Sequence, residues 1–336
     1  MIKHEHRSPL HYEQVCRLID AAPEGNGEYI PAMRAGLDGG RDRAPGKKSA
    51  ECVVYRVLSE QIGGFLPGGF TVLCGATGTG KTTLLANIAC DFLVQKLPFF
   101  VASVEIGHGN FAARMLSVLS GEEIPDYFET MEERLAYEAN VLKHLSFNGG
   151  IFSPYDSRVD HRHLLTDIWM AHKEHGVKVA LMDNLNYMME VTSAENQVIA
   201  MDKVIHDMVV FAKRTGIHLL MVLHPKKTMN GRVETEFDVK GSSTAVQEAG
   251  LVLLWNRLEN SEHAPQGENP SWCRELKLAK CRARGRNAGA RIIYSMREGS
   301  ELLFERGLIS CPANSAPALP PKFPTMSERR LPREES

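Results

Sequence analysis

Short apolar runs alternate along the chain with stretches in which apolar residues recur at helical spacing. The predicted strands are residues 70–74, 98–104, 177–183, 217–223 and 251–255. The predicted helices are residues 84–89, 109–119, 130–145, 162–175 and 200–215, the last two ended by Gly176 and Gly216. Because strands that alternate with helices form parallel sheets, the pattern predicts an α/β fold with a doubly wound, mostly parallel sheet and helices on both faces.

The pattern changes towards the C-terminal end, where strands follow one another without helices between them. Residues 274–282 and 291–296 are predicted to pair as a hairpin, and residues 302–304 to form a last strand. A further short strand is predicted within residues 145–152. The C-terminal strands are therefore expected to extend one edge of the sheet in antiparallel fashion.

Both ends of the chain differ in composition from the middle. Residues 1–50 are predicted to be an extension, with a helix that begins at Ser8-Pro9 and a linker over residues 36–48, which hold almost no large apolar residues. The helix has an apolar side, and the sequence leaves open whether that side packs on its own domain or docks on a neighbouring subunit. Residues 309–336, rich in proline and charge, are predicted to be a disordered tail. Residues 51–308 are thus the predicted globular domain.

Charge and cysteine usage exclude several classes of protein. The 336 residues carry a formal net charge of −2, so any contact with nucleic acid must come from a local patch. The 7 cysteines are scattered without a C-x-x-C pair, which argues against a zinc ribbon or a disulfide framework and favours a reducing compartment. The N-terminal residues contain no apolar signal segment, and no apolar run reaches transmembrane length. The sequence therefore predicts a cytoplasmic protein without membrane contact.

The stretch after the first predicted strand fits G-x-x-x-x-G-K-[ST], the phosphate-binding loop of nucleotide hydrolases. Its residues are Gly75, Ala76, Thr77, Gly78, Thr79, Gly80, Lys81, Thr82 and Thr83. Glycines let the backbone N–H groups point at phosphate oxygens, and the following helix adds its positive N-terminal end. Lys81 supplies a charge for the β- and γ-phosphates, and the Thr82 hydroxyl is a ligand for Mg²⁺. ATP (or another nucleoside triphosphate) and Mg²⁺ are therefore the predicted cofactors.

Polar residues end or follow three of the predicted strands. In an open parallel sheet, ligands bind at these carboxyl ends of the strands. Asp183 ends a buried strand, the expected position of the carboxylate that supports Mg²⁺ in nucleotide hydrolases. Glu105 is a candidate general base for the attacking water, and His224 is a candidate hydrogen-bond partner of the γ-phosphate. Taken alone, Glu105 is equally compatible with a solvated surface carboxylate and His224 with a structural histidine.

A basic stretch covers residues 277–286 in a chain that is otherwise close to neutral. At strand spacing, Lys280 and Arg282 share one face. Two cations that point the same way could reach the phosphates of a neighbouring subunit, as an arginine finger does. The alternative, slightly favoured by spacing alone, is a solvated edge strand whose charges prevent association.

In this order, the elements resemble the helicase domain of the DnaB-type hexameric replicative helicases, with the closest likeness to Twinkle and to the helicase half of bacteriophage primase-helicases. The resemblance runs from about residue 64 to residue 304. Its marks are residues 75–83, 103–105, 155–157, 182–186, 223–226, 240–243, 247–249 and 280–282. The resemblance implies a RecA-like P-loop fold. The phosphate-binding loop alone would indicate only nucleotide hydrolysis. The matches at Glu105, at the Gly-Ser element (residues 240–243) and at the Lys-x-Arg of residues 280–282 make the resemblance more specific.

The resemblance also implies a role for each matching residue of the nucleotide site. Lys81 and Thr82 would bind phosphate and Mg²⁺, and Asp183 would support Mg²⁺. Glu105 would activate water and His224 would sense the γ-phosphate. Each role agrees with the one that the strand ends suggest on chemical grounds.

Further implied roles concern neighbouring molecules. Lys280 and Arg282 would reach the nucleotide of the adjacent subunit in a homo-oligomeric ring, expected to contain six subunits. The residues implied to face single-stranded DNA are Lys226, Lys227, Arg232, Lys240, Gly241 and Ser242. A separate primase or loader is an expected partner of such a ring.

Two departures from the family pattern bear on the DNA contacts. Asn186 stands where the family often has glutamine, so a contact there is expected to differ. The segment between Lys226 and Lys240 also contains Glu234, Glu236 and Asp238, which oppose binding to a phosphate backbone.

Two other functions compete with that of a DNA helicase or translocase. One is a RecA-like recombination or repair ATPase that does not unwind DNA. The Lys280–Arg282 pair and the Gly-Ser element at residues 240–243 favour the helicase over it. The other is a module that uses ATP only to assemble with a helicase, and the presence of both Glu105 and Arg282 argues against it.

Overall fold

The computed structural model describes most of the chain between Pro9 and Ile309. The described residues are 9–20, 49–120, 130, 132, 149–153, 159–184, 194–226, 232–239, 243–258, 263–283, 285–297 and 299–309. The predicted linker at residues 36–48 lies outside them. So do the predicted helix at residues 130–145 and the predicted tail at residues 309–336, apart from residues 130, 132 and 309.

A nine-stranded sheet forms the centre of the described part. Its strands are β1 (Phe70–Cys74), β2 (Phe99–Ser103), β3 (Gly150–Phe152), β4 (Val179–Asp183), β5 (His218–Leu223), β6 (Leu251–Arg257), β7 (Cys273–Cys281), β8 (Arg291–Ser295) and β9 (Phe304–Leu308). They lie in the order β3-β2-β4-β5-β1-β6-β7-β8-β9, with parallel pairs from β3 to β6 and antiparallel pairs from β6 to β9. The predicted mostly parallel sheet with an antiparallel C-terminal edge is confirmed.

Helices cover both faces of this sheet, as predicted. Their bounds are α1 (Pro9–Asp20), α2 (Arg56–Ile62), α3 (Lys81–Val94), α4 (His108–Ser120), α5 (His161–His175), α6 (Ala194–Thr215) and α7 (Ser243–Glu248). Apolar side chains of α2, α3 and α4 form one core with one face of the sheet, and those of α1, α5, α6 and α7 form a second core with the other. In the part of the chain that the structure describes, no helix is both long enough and apolar enough to cross a membrane.

The burial of β1 explains why its sequence is a continuous apolar run. All five of its residues are buried, and adjacent side chains enter opposite cores, Val72 on the α5–α6 side and Leu73 on the α3 side. A strand covered on both faces is apolar at nearly every position, whereas a half-exposed strand alternates, and the hydroxyl of the polar residue Thr71 lies 2.9 Å from Nε2 of His218. β1 also pairs with β5 and β6, so the loop that follows it begins in the interior of the sheet.

The last strand lies further along the chain than predicted. It spans Phe304–Leu308, whereas the apolar residues 302–304 predicted a strand that ends where β9 begins. The N–H group of Leu303 donates instead to the side-chain oxygen of Asn87 on α3, and Asn87 in turn donates to the carbonyl oxygen of Glu301. These bonds connect the chain before β9 to the helix of the phosphate-binding loop and keep it out of the strand ladder.

The N-terminal helix α1 packs on α5 and α6 of its own chain. Val15 and Ile19 are buried there, and the indole N–H of Trp169 donates to the Gln14 side chain at 3.2 Å. At the end of α1, the Arg162 guanidinium pairs with the Asp20 carboxylate at 2.8 Å. In this structure the apolar side of α1 is therefore covered by the same chain, which corresponds to the first of the two alternatives for this helix.

Candidate active site

The carboxyl end of β1 leads directly into the phosphate-binding loop, residues 75–83. Gly75 is required there, because a Cβ atom would lie 2.4 Å from the carbonyl oxygen of Trp255 on β6. Gly78 and Gly80 have φ angles of 75° and 91°, which L-residues with side chains rarely adopt. The loop is thus shaped by close contact with β6 and by two turns that glycine permits.

Side chains of β6 and β7 hold this loop from one side. The Trp255 indole N–H donates to the carbonyl oxygen of Thr79 at 2.8 Å, and Nε of Arg274 donates to the same oxygen at 3.0 Å. The Arg257 guanidinium donates to the carbonyl oxygen of Gly78 at 3.2 Å. The carbonyl oxygens of Gly78 and Thr79 are therefore bonded to side chains of the sheet. The sequence prediction did not include these three side chains.

Lys81 begins α3 with its ammonium group inside the curl of the loop. Nζ donates to the carbonyl oxygens of Gly75 and Ala76 at 2.9 and 3.0 Å. Burial lowers the pKa of Lys81, while the nearby Asp183 and Glu105 carboxylates oppose that shift. A cation held in this position at low exposure interacts strongly with an anionic ligand, because few water molecules screen it.

Thr82 and Asp183 form a direct contact that fits a Mg²⁺ site. The Thr82 hydroxyl donates to Oδ2 of Asp183 at 2.6 Å, whereas Oδ1 of Asp183 is buried without a hydrogen-bond partner. Burial raises the pKa of Asp183 to about 6, the Glu105 charge adds to that rise, and the Thr82 hydrogen bond opposes it. Mg²⁺ prefers such oxygen ligands and takes its remaining ligands from water and phosphates. Among the described residues no cluster of three or more His, Cys, Asp and Glu could hold a metal by itself.

Glu105 and His224 lie on either side of Asn184, beside the Asp183 carboxylate. The Asn184 amide nitrogen donates to a Glu105 carboxylate oxygen and lies 2.9 Å from Nε2 of His224. The Glu105 and His224 side chains are 3.9 Å apart, which is too far for a direct hydrogen bond. The structure therefore brings Glu105, Asp183 and His224, which the sequence prediction had placed at the carboxyl ends of three strands, next to Lys81 and Thr82 of the phosphate-binding loop.

Asn184 was not among the predicted site residues, although it follows Asp183 directly. β4 lies between β2 and β5, so the residue after its end lies between those that follow its two neighbours. The strand order 2-4-5 supplies that information, and the apolar pattern alone does not contain it. The sequence signal that could have identified Asn184 is that a polar residue directly follows Asp183.

The predicted cation pair, Lys280 and Arg282, lies at the opposite end of the parallel strands from the phosphate-binding loop. Nζ of Lys280 donates to the carbonyl oxygens of Val246 and Gln247 at the end of α7, at 2.6 and 3.0 Å, and the Arg282 guanidinium contacts the Gln247 oxygen as well. The backbone N–H group of Arg282 donates to the carbonyl oxygen of Gly250, which precedes β6. Both cations are therefore near the start of the parallel strands, and the chain's own phosphate-binding loop is at their far end.

The predicted DNA-facing residues are only partly within the described chain. Lys227, Lys240, Gly241 and Ser242 lie outside it, as does Asn186. Lys226 is exposed, and its ammonium group donates to the carbonyl oxygen of Phe237 at 2.8 Å.

Arg232, predicted to contact DNA, lies against β7 with only 10% of its side chain exposed. Its guanidinium pairs with the fully buried Glu275 at 3.0 Å and also contacts the Glu234 carboxylate. These ion pairs anchor the segment to the sheet, so in this conformation Arg232 is not presented to an external phosphate.

The fold and the site together define a class, the P-loop ATPases with a RecA-like sheet. A family model described as an AAA domain matches residues 55–230, which is more than half of the 336 residues, and the chain belongs to this family.

Solved structures confirm the fold. One, titled "The Structure Of A DnaB-Like Replicative Helicase And Its Interactions With Primase", matches with a TM-score of 0.64 and 11% identity over 88% of this chain and 74% of that chain. Another, "ATPase Domain of G40P", matches with a TM-score of 0.64 and 11% identity over 82% of this chain and 99% of that one. At this identity the likeness concerns the fold, and the predicted resemblance to the DnaB-type ATPase domain is confirmed at that level.

Proposed function

We propose that the protein is an ATP-driven DNA helicase or translocase that moves along single-stranded DNA as a ring of six subunits. The observation that carries this proposal is the cluster of Glu105, Asn184 and His224 beside the Thr82–Asp183 pair and the phosphate-binding loop. This arrangement has a phosphate cradle, a metal site, a carboxylate for water activation and a histidine that leads into the segment at residues 225–239. It suits hydrolysis that is coupled to movement better than it suits static nucleotide binding.

In the proposed reaction, Lys81 and the backbone N–H groups of the loop bind the β- and γ-phosphates of ATP. Thr82 and Asp183 hold Mg²⁺, which when bound neutralises the phosphate charge. Glu105 accepts the proton of the attacking water, because its carboxylate lies at the carboxyl edge next to the expected γ-phosphate position. His224 hydrogen-bonds the γ-phosphate and loses that partner after hydrolysis.

Loss of the γ-phosphate would be transmitted to DNA through the segment that follows His224. Pro225 bridges to Val239, so the two ends of the segment at residues 225–239 lie side by side next to the histidine. Lys226, Lys227 and Lys240 supply the cations for phosphate contacts on the DNA, with backbone contacts from Gly241 and Ser242. Binding by such contacts weakens steeply with salt, because cations on the DNA are released when a protein binds.

The ring is proposed because the cation pair cannot serve its own chain's nucleotide. The five residues of β1 separate the amino and carboxyl ends of the parallel strands by about 15 Å. Lys280 and Arg282 lie at the edge away from the loop, so in a ring they would face the nucleotide of the adjacent subunit. A separate primase or loader is a proposed partner of the assembled ring. The cysteines favour the cytoplasm as the place of action.

The test compares ATP hydrolysis and nucleotide binding in two variants with the parent protein. Lys81→Ala is expected to lose both, because the charge in the phosphate cradle is gone. Glu105→Gln is expected to keep ATP affinity and lose turnover by about a hundredfold or more, the usual contribution of a general base. Single-stranded DNA is expected to stimulate the parent's rate at low salt. Parent-like turnover of Glu105→Gln would exclude Glu105 as the base, and absence of DNA binding by assembled protein would exclude the helicase.

A further inference from the structure

The position of Asn184 between two catalytic candidates follows from strand order. β4 pairs with β2 on one side and with β5 on the other, in register up to Ser103–Asp183 and Met182–Met221. The backbone fixes this placement further, because the N–H group of Val104 donates to the carbonyl oxygen of Asp183 at 2.8 Å. Asn184 itself is 1% exposed. Its amide is therefore held between the residues that follow β2 and β5.

The chemistry of the amide determines what it does there. Nδ2 carries two hydrogens and no acceptor, and it contacts both a Glu105 carboxylate oxygen and Nε2 of His224. Since Nδ2 can only donate, a hydrogen bond from it to Nε2 of His224 requires the imidazole tautomer with its hydrogen on Nδ1. The same NH₂ group thus orients the carboxylate and fixes the tautomer of the histidine.

In this structure no direct hydrogen bond links the Glu105 carboxylate to Nε2 of His224. The Glu105 and His224 side chains are 3.9 Å apart, beyond hydrogen-bond distance. If the histidine turned towards a phosphate or moved with residues 225–239, one hydrogen of the amide would lose its acceptor. The hydrogen bond that the same NH₂ group donates to Glu105 would then change its geometry, and with it the orientation of the carboxylate towards the attacking water.

We propose that Asn184 is a positioning residue that couples the orientation of Glu105 to the state of His224 and of the segment at residues 225–239. The inference rests on the proposed function, since it takes Glu105 as the base and residues 225–239 as the DNA-facing unit. It assigns to Asn184 the task of making hydrolysis depend on DNA. Asn184 touches neither substrate nor metal in this role and acts through Glu105.

The experiment measures steady-state ATPase kcat and KM of the full chain with and without a poly-dT oligonucleotide. Asn184→Ala removes the link, and Asn184→Asp keeps the side-chain size but places a second carboxylate beside Glu105. Asn110→Ala is the matched control, because the exposed Asn110 amide donates only to the carbonyl oxygen of Ile106 in the described contacts, at 2.7 Å.

Both Asn184 variants are expected to keep KM and nucleotide affinity while kcat falls about tenfold to a hundredfold, as loss of a hydrogen bond to a charged group gives. The ratio of the rates with and without poly-dT is expected to approach one. His224→Ala is expected to lower that ratio as well, and adding Asn184→Ala to it should change the ratio no further, because the two residues act through one link. Asn110→Ala should behave as the parent.

Three outcomes would overturn the inference. Parent-like kcat and DNA stimulation in Asn184→Ala would remove any coupling role. A loss of kcat accompanied by an equal loss of ATP affinity and of thermal stability would show a structural role only. Additive effects of the Asn184 and His224 substitutions would show that the two act independently. If the parent itself hydrolysed no ATP, or did so without any response to DNA, the proposed function would fail instead.

Discussion

The two halves of the sheet carry their functional side chains in different ways. In the parallel half, Glu105, Asp183 and His224 each follow or end a short buried strand, and all of them meet at one edge. In the antiparallel half, the side chains of interest lie within the strands. β7 places Arg274 at the phosphate-binding loop and Lys280 near the opposite edge, on the face where α7 packs.

The difference has a simple geometrical origin. Parallel strands all present their carboxyl ends at the same edge, so residues far apart in sequence converge there. β7, with 9 residues, is long enough to place side chains at both ends of the parallel strands. The parallel half assembles one site, and β7 of the antiparallel half reaches from that site to Lys280 at the other end of the sheet.

The largest expected effect concerns the connecting half. Arg282→Ala is expected to lower ATP hydrolysis about a thousandfold, the contribution of an arginine finger to phosphoryl transfer. Arg282→Lys should not restore the rate, because a guanidinium grips phosphate oxygens with two hydrogen bonds and an ammonium does not. Steady-state ATPase rates of assembled protein measure this, with assembly checked by mass.

A mixing experiment then asks whether Arg282 acts on another subunit. Arg282→Ala retains its own phosphate-binding loop, and Lys81→Ala retains its own arginine, so each alone should be nearly inactive. Mixed rings contain interfaces where an intact loop meets an intact arginine, and activity should partly recover once subunits have exchanged. Full activity of Arg282→Ala in assembled rings would instead make Arg282 a solvated residue whose contact is with the Gln247 carbonyl oxygen; the edge-strand alternative is wrong in any case, because β7 pairs with both β6 and β8.

A smaller effect sharpens the account of the parallel half. Burial raises the pKa of Asp183 from 3.8 to about 6, so the folded protein favours the protonated carboxyl group. The stability that this preference contributes is present at low pH and is lost as the pH rises through about 6. Without nucleotide and Mg²⁺, Asp183→Asn should therefore be more stable than the parent above that pH, by at most about 3 kcal/mol, because one pKa unit corresponds to about 1.4 kcal/mol.

Thermal unfolding of the two proteins across this pH range measures the difference. It should shrink as the pH falls towards the ordinary pKa of an aspartate. Added Mg²⁺ and nucleotide should stabilise the parent more than the variant, because the carboxylate gains its cation. A difference in stability that does not vary with pH would contradict the assigned pKa of Asp183.

The sequence contained the parallel half of the site almost completely. An apolar run followed by a polar residue marks both a strand and its carboxyl end, so Glu105, Asp183 and His224 were predicted to lie at strand ends without any knowledge of strand order. Asn184 needed the order, because only the position of β4 between β2 and β5 makes it central.

The antiparallel half was less predictable because its contacts depend on register. Arg274 pairs with Arg257 across β6 and β7, and this register brings both guanidinium groups to the loop. An irregularity opposite Val252 and Leu253 also changes which face Lys280 occupies. The short helices α2 and α7 were missed as well, since Arg56–Ile62 and Ser243–Glu248 are too brief to show a helical period.

Strand separation tests the central claim most directly. A forked duplex with a single-stranded tail is incubated with the assembled parent protein, Mg²⁺ and ATP, and the fraction of separated strands is followed over time. The account predicts ATP-dependent separation by the parent and none by Glu105→Gln, although the variant still binds ATP and DNA. DNA-stimulated ATP hydrolysis by assembled protein without any strand separation or movement would contradict the claim and leave a RecA-like ATPase that does not unwind DNA.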